Sequence, residues 1–290
     1  MTTLKYYLNE LAGTTGLGEQ GAANVLAGTS GVGLQGALNA YAGTTGIGVQ
    51  GVLNRLAGTT GLGEAKAASL ILPKANLVLN LDARNVNGYG VAPPADGAAV
   101  ATWVDLSTAG SNATQVTGTN QPFYRAAYTN GQPAVDFDGV DNYMATASYT
   151  VSQPWTIYAV ATFESTTAIQ VLAGHGAPVQ FGRIGVNAQL SLNAGSVLGA
   201  IAINTSPHVI SSVFNGASSV IALDGGTPTT GAGGANTWAG RPMRIGSYDA
   251  STLWFNGGVS ALLHYSGAHD ATTRQRIERR LGRRFGITVA

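Results

Sequence analysis

Apolar residues recur at a fixed interval of 15 positions over the first seventy-odd residues. The phrase Ala-Gly-Thr begins at Ala12, Ala27, Ala42 and Ala57. Between these phrases, apolar residues fall at offsets of one and four, which places them on one stripe of a helix. The stripe residues are Ala22, Ala23 and Leu26, then Ala37, Leu38 and Tyr41, then Val52, Leu53 and Leu56. The pattern predicts helices of roughly 8–10 residues, which are too short to be stable unless they stack on each other or on other chains.

The glycines of the repeat also spell a nucleotide-binding fingerprint. The stretch GLGEQG at 16–21 fits G-x-G-x-x-G, and similar stretches return at 31–36 and 46–51. A dinucleotide fingerprint follows a hydrophobic strand and precedes an acidic residue by about 20 positions. Residues 16–21 have neither context, so we expect no cofactor. The first two glycines of the fingerprint are predicted instead to close a turn, and Gln20 and Gly21 to begin a short helix. The glycines of the Ala-Gly-Thr phrases are predicted to end helices, with the next Thr or Ser capping a new helix. The predicted helix-ending residues are Gly13, Gly28, Gly43 and Gly58.

Beyond residue 73 the pattern changes to short apolar runs separated by Gly, Pro, Asn and Ser turns. About twelve such runs, several with period-two alternation, predict strands. The predicted strands are 77–83, 101–106, 134–139, 143–148, 156–164, 169–175, 182–187, 198–203, 208–215, 219–225, 243–248 and 259–265. Because no helical pattern separates these strands, they favour a mainly β fold, an antiparallel sandwich of jelly-roll type.

One helix is predicted at 270–285, with Asp270 as its N-cap. Ile277, Leu281 and Phe285 repeat every fourth residue and form a core-facing stripe. The other faces carry Arg274, Arg276, Arg279, Arg280, Arg283 and Arg284. Nucleic-acid binding is one interpretation of these arginines. The favoured interpretation is a solvated helix face, with cations placed near the helix C-terminus, because the net charge of the chain is only +1.

The amino-acid composition excludes several classes of protein. Only 10% of residues are charged, and 44% are hydrophobic, which fits tightly turned β-structure or a surface covered by neighbouring subunits. The absence of cysteine excludes disulfides and thiolate catalysis. The near-neutral charge gives no field for nucleic acid, and no run approaches the ~18 apolar residues of a membrane-spanning helix. The first residues lack the apolar core of a signal peptide, so we expect a protein made in a cytoplasm, with no membrane insertion.

The region that opens the predicted sandwich resembles the start of LamG-like, concanavalin A-like jelly-roll domains. That family has an LVLWLDA strand, a W-x-D-x-S-x-x-x-N-A-T segment and a G-x-P-x-V-x-F-D-G-x-D-D-Y strand. The matching residues are Leu81, Asp82, Trp103, Asp105, Ser107, Asn112, Ala113, Pro133, Phe137, Asp138, Gly139, Asp141 and Tyr143. The resemblance implies a LamG-like domain over 76–290 and leaves function open, because such domains bind sugars, bind proteins or only decorate a surface.

The unit LAGTTGLGxQGAxN resembles a repeat found in virion proteins of phages that infect actinobacteria, where it accompanies minor tail, head-fibre and decoration proteins. The resemblance implies a bacteriophage structural protein of the virion, a surface-exposed capsid decoration, head fibre or minor tail protein. Residues 1–73 would be a stem for attachment and oligomerisation, and 76–290 an exposed domain that adheres to host surface glycans. The expected partners are copies of the chain, as a homotrimer, and other capsid or tail proteins. The alternative is a carbohydrate-binding, receptor-binding protein of the tail tip.

No set of residues with catalytic spacing is apparent. Glycoside hydrolases of this sandwich type place paired carboxylates on one strand face, whereas here the later carboxylates are scattered. They are Glu164, Asp224, Asp249, Asp270 and Glu278. The histidines lack zinc-site spacing, and no G-x-S-x-G nucleophile motif occurs. The sequence therefore predicts that the protein is not an enzyme.

Two stretches are candidates for ligand binding. Asp136, Asp138 and Asp141 offer oxygen ligands for calcium, but an Asp-Gly turn with carboxylates capping backbone amides is favoured, so no metal is expected.

The stretch GSYDASTLWFNGG offers an aromatic platform beside polar groups, which sugar binding requires. Its candidate carbohydrate-binding residues are Tyr248, Asp249 and Trp254. A core or subunit-contact role for Trp254 stays open, whereas Trp103 and Trp155 are predicted to be core residues.

Overall fold

The computed structural model describes residues 4–12, 16–42, 48–57, 72–165, 168–176, 179–184 and 189–290. The chain forms two compact units, Met1–Ala75 and Asn76–Ala290. None of the helices in the described ranges is both long enough and apolar enough to cross a membrane.

The first unit contains nine-residue helices that begin every 15 residues. They are α1 (Leu4–Ala12), α2 (Glu19–Ala27), α3 (Leu34–Ala42) and α4 (Val49–Ala57). Each helix packs against the next one along the chain. The predicted stripe is largely buried, since Ala22, Ala23, Ala37, Leu38, Tyr41, Val52 and Leu53 lie inside this unit's own core. The helices are therefore confirmed, and stacking within one chain supplies the burial that helices of this length need.

The helix ends agree only in part with the sequence-based prediction. Gly28 ends α2 in the left-handed conformation, with φ of 65°, and its N–H contacts the carbonyls of Asn24 and Val25, as predicted. The N-cap of α2 is Gly18, which makes no side-chain hydrogen bond, so the predicted Thr or Ser cap is wrong for this helix. Gly13, Gly43, Gly58 and the side chain of Leu56 lie outside the description.

Asparagines at equivalent positions of two successive repeats tie neighbouring helices together. Asn9 Nδ2 donates to the Leu17 carbonyl at 2.8 Å, and Asn9 Oδ1 accepts from the Leu17 N–H at 3.1 Å. Asn24 Nδ2 donates to the Val32 carbonyl in the same way, at 2.8 Å. Both amides also bond to a carbonyl of their own helix, at 2.9 Å. Each asparagine thus clamps its helix to the start of the next repeat.

The second unit is mainly β, with two antiparallel eight-stranded sheets. Its strands are β1 (Leu77–Asp82), β2 (Thr102–Trp103), β3 (Ala113–Thr114), β4 (Phe123–Thr129), β5 (Gln132–Asp138), β6 (Met144–Val151), β7 (Trp155–Phe163), β8 (Gln170–Gly174), β9 (Gln180–Ile184), β10 (Gln189–Asn193), β11 (Val197–Ile201), β12 (Pro207–Phe214), β13 (Ser219–Leu223), β14 (Thr229–Gly231), β15 (Trp238–Ile245) and β16 (Asn256–Ser266).

Sheet A has the order β14-β13-β12-β7-β16-β5-β4, with β1 also paired to β16, and sheet B has the order β11-β10-β9-β8-β15-β6-β3-β2. Side chains from both sheets share one hydrophobic core, so the sheets pack face to face as a sandwich. Trp103 and Trp155 lie in this core with no exposed surface, as predicted.

The strand bounds differ most from prediction around Asp105. The predicted strand 101–106 shrinks to two residues, because the buried Asp105 carboxylate organises a loop. It accepts the backbone N–H groups of Asn80, Ser107 and Ser111 at 2.8–2.9 Å and the Ser107 hydroxyl at 2.7 Å. Strands β3, β4, β10 and β14 are not predicted from the sequence. Most side chains of β4 are at least partly exposed, so it lacks a clear apolar signal.

The helix α5 (Ala271–Phe285) begins as predicted, because Asp270 accepts the N–H of Thr273 at 2.7 Å. Ile277, Leu281 and Phe285 are fully buried, as predicted.

The prediction of a solvated arginine face on α5 is wrong for three of its six arginines, whereas Arg279 and Arg283 are exposed, as predicted. Arg274, Arg280 and Arg284 are only 5%, 1% and 8% exposed, because α5 packs on β12 and β7 of sheet A. Arg284 Nη1 lies 3.5 Å from Asp82 Oδ2, and Arg274 Nε lies 3.2 Å from Glu278 Oε1. Ion pairing within the interface offsets the cost of burying these charges.

Candidate functional site

The predicted sugar-binding residues lie in one loop between β15 and β16. Within it, Asp249 Oδ1 accepts the backbone N–H and the hydroxyl of both Ser251 and Thr252, at 2.8–3.0 Å. The Tyr248 N–H donates to the Thr252 carbonyl at 3.1 Å. The loop is therefore closed on itself, and Asp249 holds its shape.

The charge of Asp249 is fixed by the same contacts. Burial acts to raise the pKa of this carboxyl, but the hydrogen bonds from Ser251 and Thr252 outweigh burial and keep its pKa below the usual value. Asp249 is consequently a permanent negative charge at neutral pH.

The aromatic partner of Trp254 is Tyr143 rather than Tyr248. The ring centroids of Trp254 and Tyr143 are 6.1 Å apart, with the planes tilted by 39°, within the range of favourable aromatic pairs. Both side chains are partly exposed. In the sequence analysis, Tyr143 is identified only as a signature residue of the fold. Because Tyr143 and Trp254 are far apart along the chain, the sequence does not predict that they form a pair.

Two of the three calcium candidates, Asp138 and Asp141, lie at the turn before Tyr143. Asp138 Oδ1 accepts the N–H groups of Val140, Asp141 and Asn142 at 2.9–3.3 Å, so this carboxylate caps a turn. Asp136 lies elsewhere on β5 and pairs with Arg125, at 2.8 Å. Among the residues that the structure describes, no group of three or more His, Cys, Asp or Glu side chains is arranged to hold a metal ion.

The turn and the loop lie against each other. A β-carbon at Gly246 would lie 3.0 Å from the Asn142 carbonyl oxygen and collide with the Phe137 ring, so only glycine allows this approach. Asn256 at the end of the loop pairs with Asp138 in the ladder between β16 and β5. The two segments together present an exposed apolar surface, here called the aromatic rim, made of Val140, Tyr143, Leu253 and Trp254.

The aromatic rim is exposed and its loop is strained. Val140 is 66% exposed and Leu253 is 36% exposed. Leu253 and Ala250 have φ of 54° and 70°, in the left-handed region that bulky residues rarely adopt. Such strain costs of order 1–3 kcal/mol and concentrates at functional sites.

A second cluster lies on the outer face of sheet A, where carboxylates from β5 and the end of β7 share one neighbourhood. The Tyr128 hydroxyl donates to Glu164, and the Tyr128 ring lies over Gly258 on β16. Burial raises the pKa of Asp136 despite its bond to Arg125, and the charge of Glu164 raises that pKa further. From the sequence alone, Glu164 is interpreted as isolated. Its neighbour Asp136 lies on β5, two strands away across β16, and sequence spacing does not reveal this strand order.

No family model and no curated protein match this chain. Similar solved structures include domain 4 of an extracellular GH43 arabinanase from Geobacillus stearothermophilus, in complex with arabinotriose. It has a TM-score of 0.49 and 12% identity, and the match covers 71% of this chain and 98% of that one. A Trypanosoma rangeli sialidase in complex with the inhibitor DANA has a TM-score of 0.49 and 17% identity, covering 81% of this chain and 37% of that one.

An arabinofuranosidase complexed with arabinofuranosyl-alpha-1,2-xylobiose has a TM-score of 0.49 and 14% identity, covering 64% of this chain and 51% of that one. Carbohydrate-active enzymes among these structures contradict the prediction that the protein is not an enzyme, and that prediction does not stand. With TM-scores below 0.5, the likeness assigns no activity, substrate or catalytic residue to this chain.

Proposed function

We propose that this chain is a surface-exposed structural protein of a phage virion, acting as a capsid decoration, head fibre or minor tail protein. Residues 1–73 would attach it to the particle and assemble it with other copies, and residues 76–290 would form the exposed domain. The observation that carries the proposal is the joining of a 15-residue helical array, which has its own core, to a sandwich with a separate core. The likeness of the array to phage virion repeats supports it.

We propose further that the sandwich is a LamG-like, concanavalin A-like jelly roll. The signature residues that suggest this family have clear structural roles in the described unit. Asp105 organises the loop after β2, and Asp138 caps the turn after β5. Trp103 lies fully inside the core.

The proposed assembly is a homotrimer. Short helices bury little surface individually, and the described part of the array still leaves Val25 50% and Val32 36% exposed. Light scattering after size exclusion is expected to give three times the chain mass of 29.4 kDa. A monomer would contradict the assembly role.

Placement on the virion is tested by electron microscopy. Gold-labelled antibodies raised against residues 76–290 are expected to decorate intact particles of the phage that carries this protein, on the head or on the tail. Absence of the protein from purified particles, measured by mass spectrometry, would refute the proposal.

A receptor-binding role at the tail tip is the second candidate. The aromatic rim favours it, since a partly exposed tryptophan and tyrosine on rigid turns can bind a sugar ring. Gold labelling confined to the tail tip would favour this role over decoration of the head.

A further inference from the structure

The aromatic rim is the surface whose chemistry points most directly to a ligand. We propose that it binds neutral glycans, by stacking the apolar face of a sugar ring on Trp254 and Tyr143. This inference rests on the proposed function, in which the exposed domain meets a host surface.

Ring geometry supports a stacking surface. The Trp254 and Tyr143 rings contact each other at 6.1 Å between centroids, yet each side chain keeps exposed surface. Val140 and Leu253, in the same turn and loop as the two rings, are further exposed apolar side chains. Aromatic rings offer large rigid contact areas at a low cost in side-chain entropy, so this surface suits a rigid ring with an apolar face.

Preorganisation supports the same conclusion. The Asp138 carboxylate closes the turn that carries Val140 and precedes Tyr143, and the Asp249 carboxylate closes the loop that carries Leu253 and Trp254. The rim is therefore already shaped before a ligand arrives, which reduces the ordering cost of binding. The left-handed φ of Leu253 shows that the loop is held in a conformation its residues do not favour.

The surrounding charge selects neutral rather than anionic glycans. Asp138, Asp141 and Asp249 stand in the two segments that form the rim. Arg244 is the nearby positive charge. It lies close to Asp249, since a β-carbon at Gly176 would contact both side chains, so the carboxylate offsets its charge. Carboxylate or sialic acid groups of a ligand would meet like charges, which weakens binding. Sugar hydroxyls carry no such penalty and can donate hydrogen bonds to carboxylates.

Binding is tested with the full chain on an array printed with neutral and uronic- or sialic-acid-containing oligosaccharides. We expect retention on neutral glycans and little on acidic ones. Trp254→Ala and Tyr143→Ala should each lower affinity by roughly two- to tenfold, which corresponds to the roughly 0.5–1.5 kcal/mol of an aromatic contact. Tyr143→Phe, which keeps the ring, should retain most of the affinity.

Phe123→Ala is the matched control, because Phe123 is also partly exposed, at 38%, but lies on β4. Thermal melting of every variant shows whether it folds. The inference is refuted by absence of neutral-glycan binding at millimolar ligand, by a preference for acidic glycans, or by folded rim variants that bind as well as the control. Glycan binding by a protein absent from particles would instead refute virion placement, and particle labelling without glycan binding would refute the rim alone.

Discussion

Asp105 shows how one buried carboxylate can define a motif. Its oxygens accept hydrogen bonds from three backbone N–H groups and one hydroxyl, and it is only 6% exposed. Asp105→Ala is expected to lower the free energy of unfolding by about 2–4 kcal/mol, because it leaves buried donors unpaired. Urea denaturation measures the change.

Asp96→Ala is the matched control for that variant. Asp96 also accepts a backbone N–H, from Ala126 at 2.8 Å, but it is exposed, so water can replace the lost bond. An effect above about 1 kcal/mol for Asp96→Ala, or below it for Asp105→Ala, would contradict the burial argument.

His264 makes stability depend on pH. Its side chain is fully buried among Trp155, Trp238 and Tyr149, and burial lowers its pKa to about 3. Between these two pKa values, the unfolded chain, with a histidine pKa of ~6.5, binds a proton at His264 and the folded chain does not. Stability is thus complete above ~6.5 and is lost as pH falls toward 3.

The expected loss from His264 between pH 7 and about pH 5 is ~2 kcal/mol. His264→Phe removes the titrating group while keeping a ring, so its free energy of unfolding should fall less over this range. His269, whose pKa burial lowers to about 4, contributes in both proteins. Equal pH slopes for the wild type and His264→Phe would disprove the assignment.

At the scale of elements, the repeat shows what sequence can and cannot predict. The interval of 15 residues predicts a series of similar short helices, because a repeated apolar spacing favours a repeated local structure. It does not reveal the role of Asn9 and its equivalents, since a polar residue on a short helix gives no periodic burial signal. The repeat also gives the wrong N-cap for α2, because the N-cap residue is Gly18 and no side chain caps this helix.

Asn9→Ala is expected to destabilise the helical unit by about 1–2 kcal/mol, because the Leu17 N–H and carbonyl lose their partner. Helical circular dichroism during urea titration measures this change. Gln35→Ala, at an exposed position of α3, should have almost no effect. A loss no greater than that of Gln35→Ala would show that the clamp does not contribute to stability.

The terminal helix illustrates a different limit. Its stripe of Ile277, Leu281 and Phe285 predicts the buried face, but charge composition does not tell which arginines are buried. Arg284 is paired with Asp82, which lies at the end of β1, and this pair depends on strand order, which local sequence spacing does not record. Arg274 is paired with Glu278, four residues later on the same helix, so its spacing is visible in the sequence but its burial is not.

At the scale of the whole molecule, two separate hydrophobic cores predict separate folding. All members of the sandwich core come from the second unit, and all members of the helical core come from the first. A fragment of residues 76–290 is expected to melt within a few degrees of the corresponding transition in the full chain. Differential scanning calorimetry measures both, and a fragment that does not fold would contradict this independence.

The sandwich architecture follows from alternating strands and turn residues, whereas the aromatic rim does not. Tyr143 and Trp254 meet because two strand pairings bring their segments together. The turn between β5 and β6 and the loop between β15 and β16 lie side by side, since β5 pairs with β16 in sheet A and β6 pairs with β15 in sheet B. Sequence reasoning placed Tyr248 beside Trp254 because they are neighbours in the chain. Partnerships across a sheet require its topology, which local patterns do not encode.

The asparagine clamp also bears on how such a protein changes over generations. Asn9 and Asn24 each donate to a backbone carbonyl at the start of the next repeat, that of Leu17 and that of Val32, so the bond depends on the spacing of the repeat and not on which apolar residue stands there. We therefore expect recombination between near-identical repeats to add or remove complete units while the remaining units keep this contact. The length of the array can therefore change in steps of 15 residues while the structure within each unit stays the same.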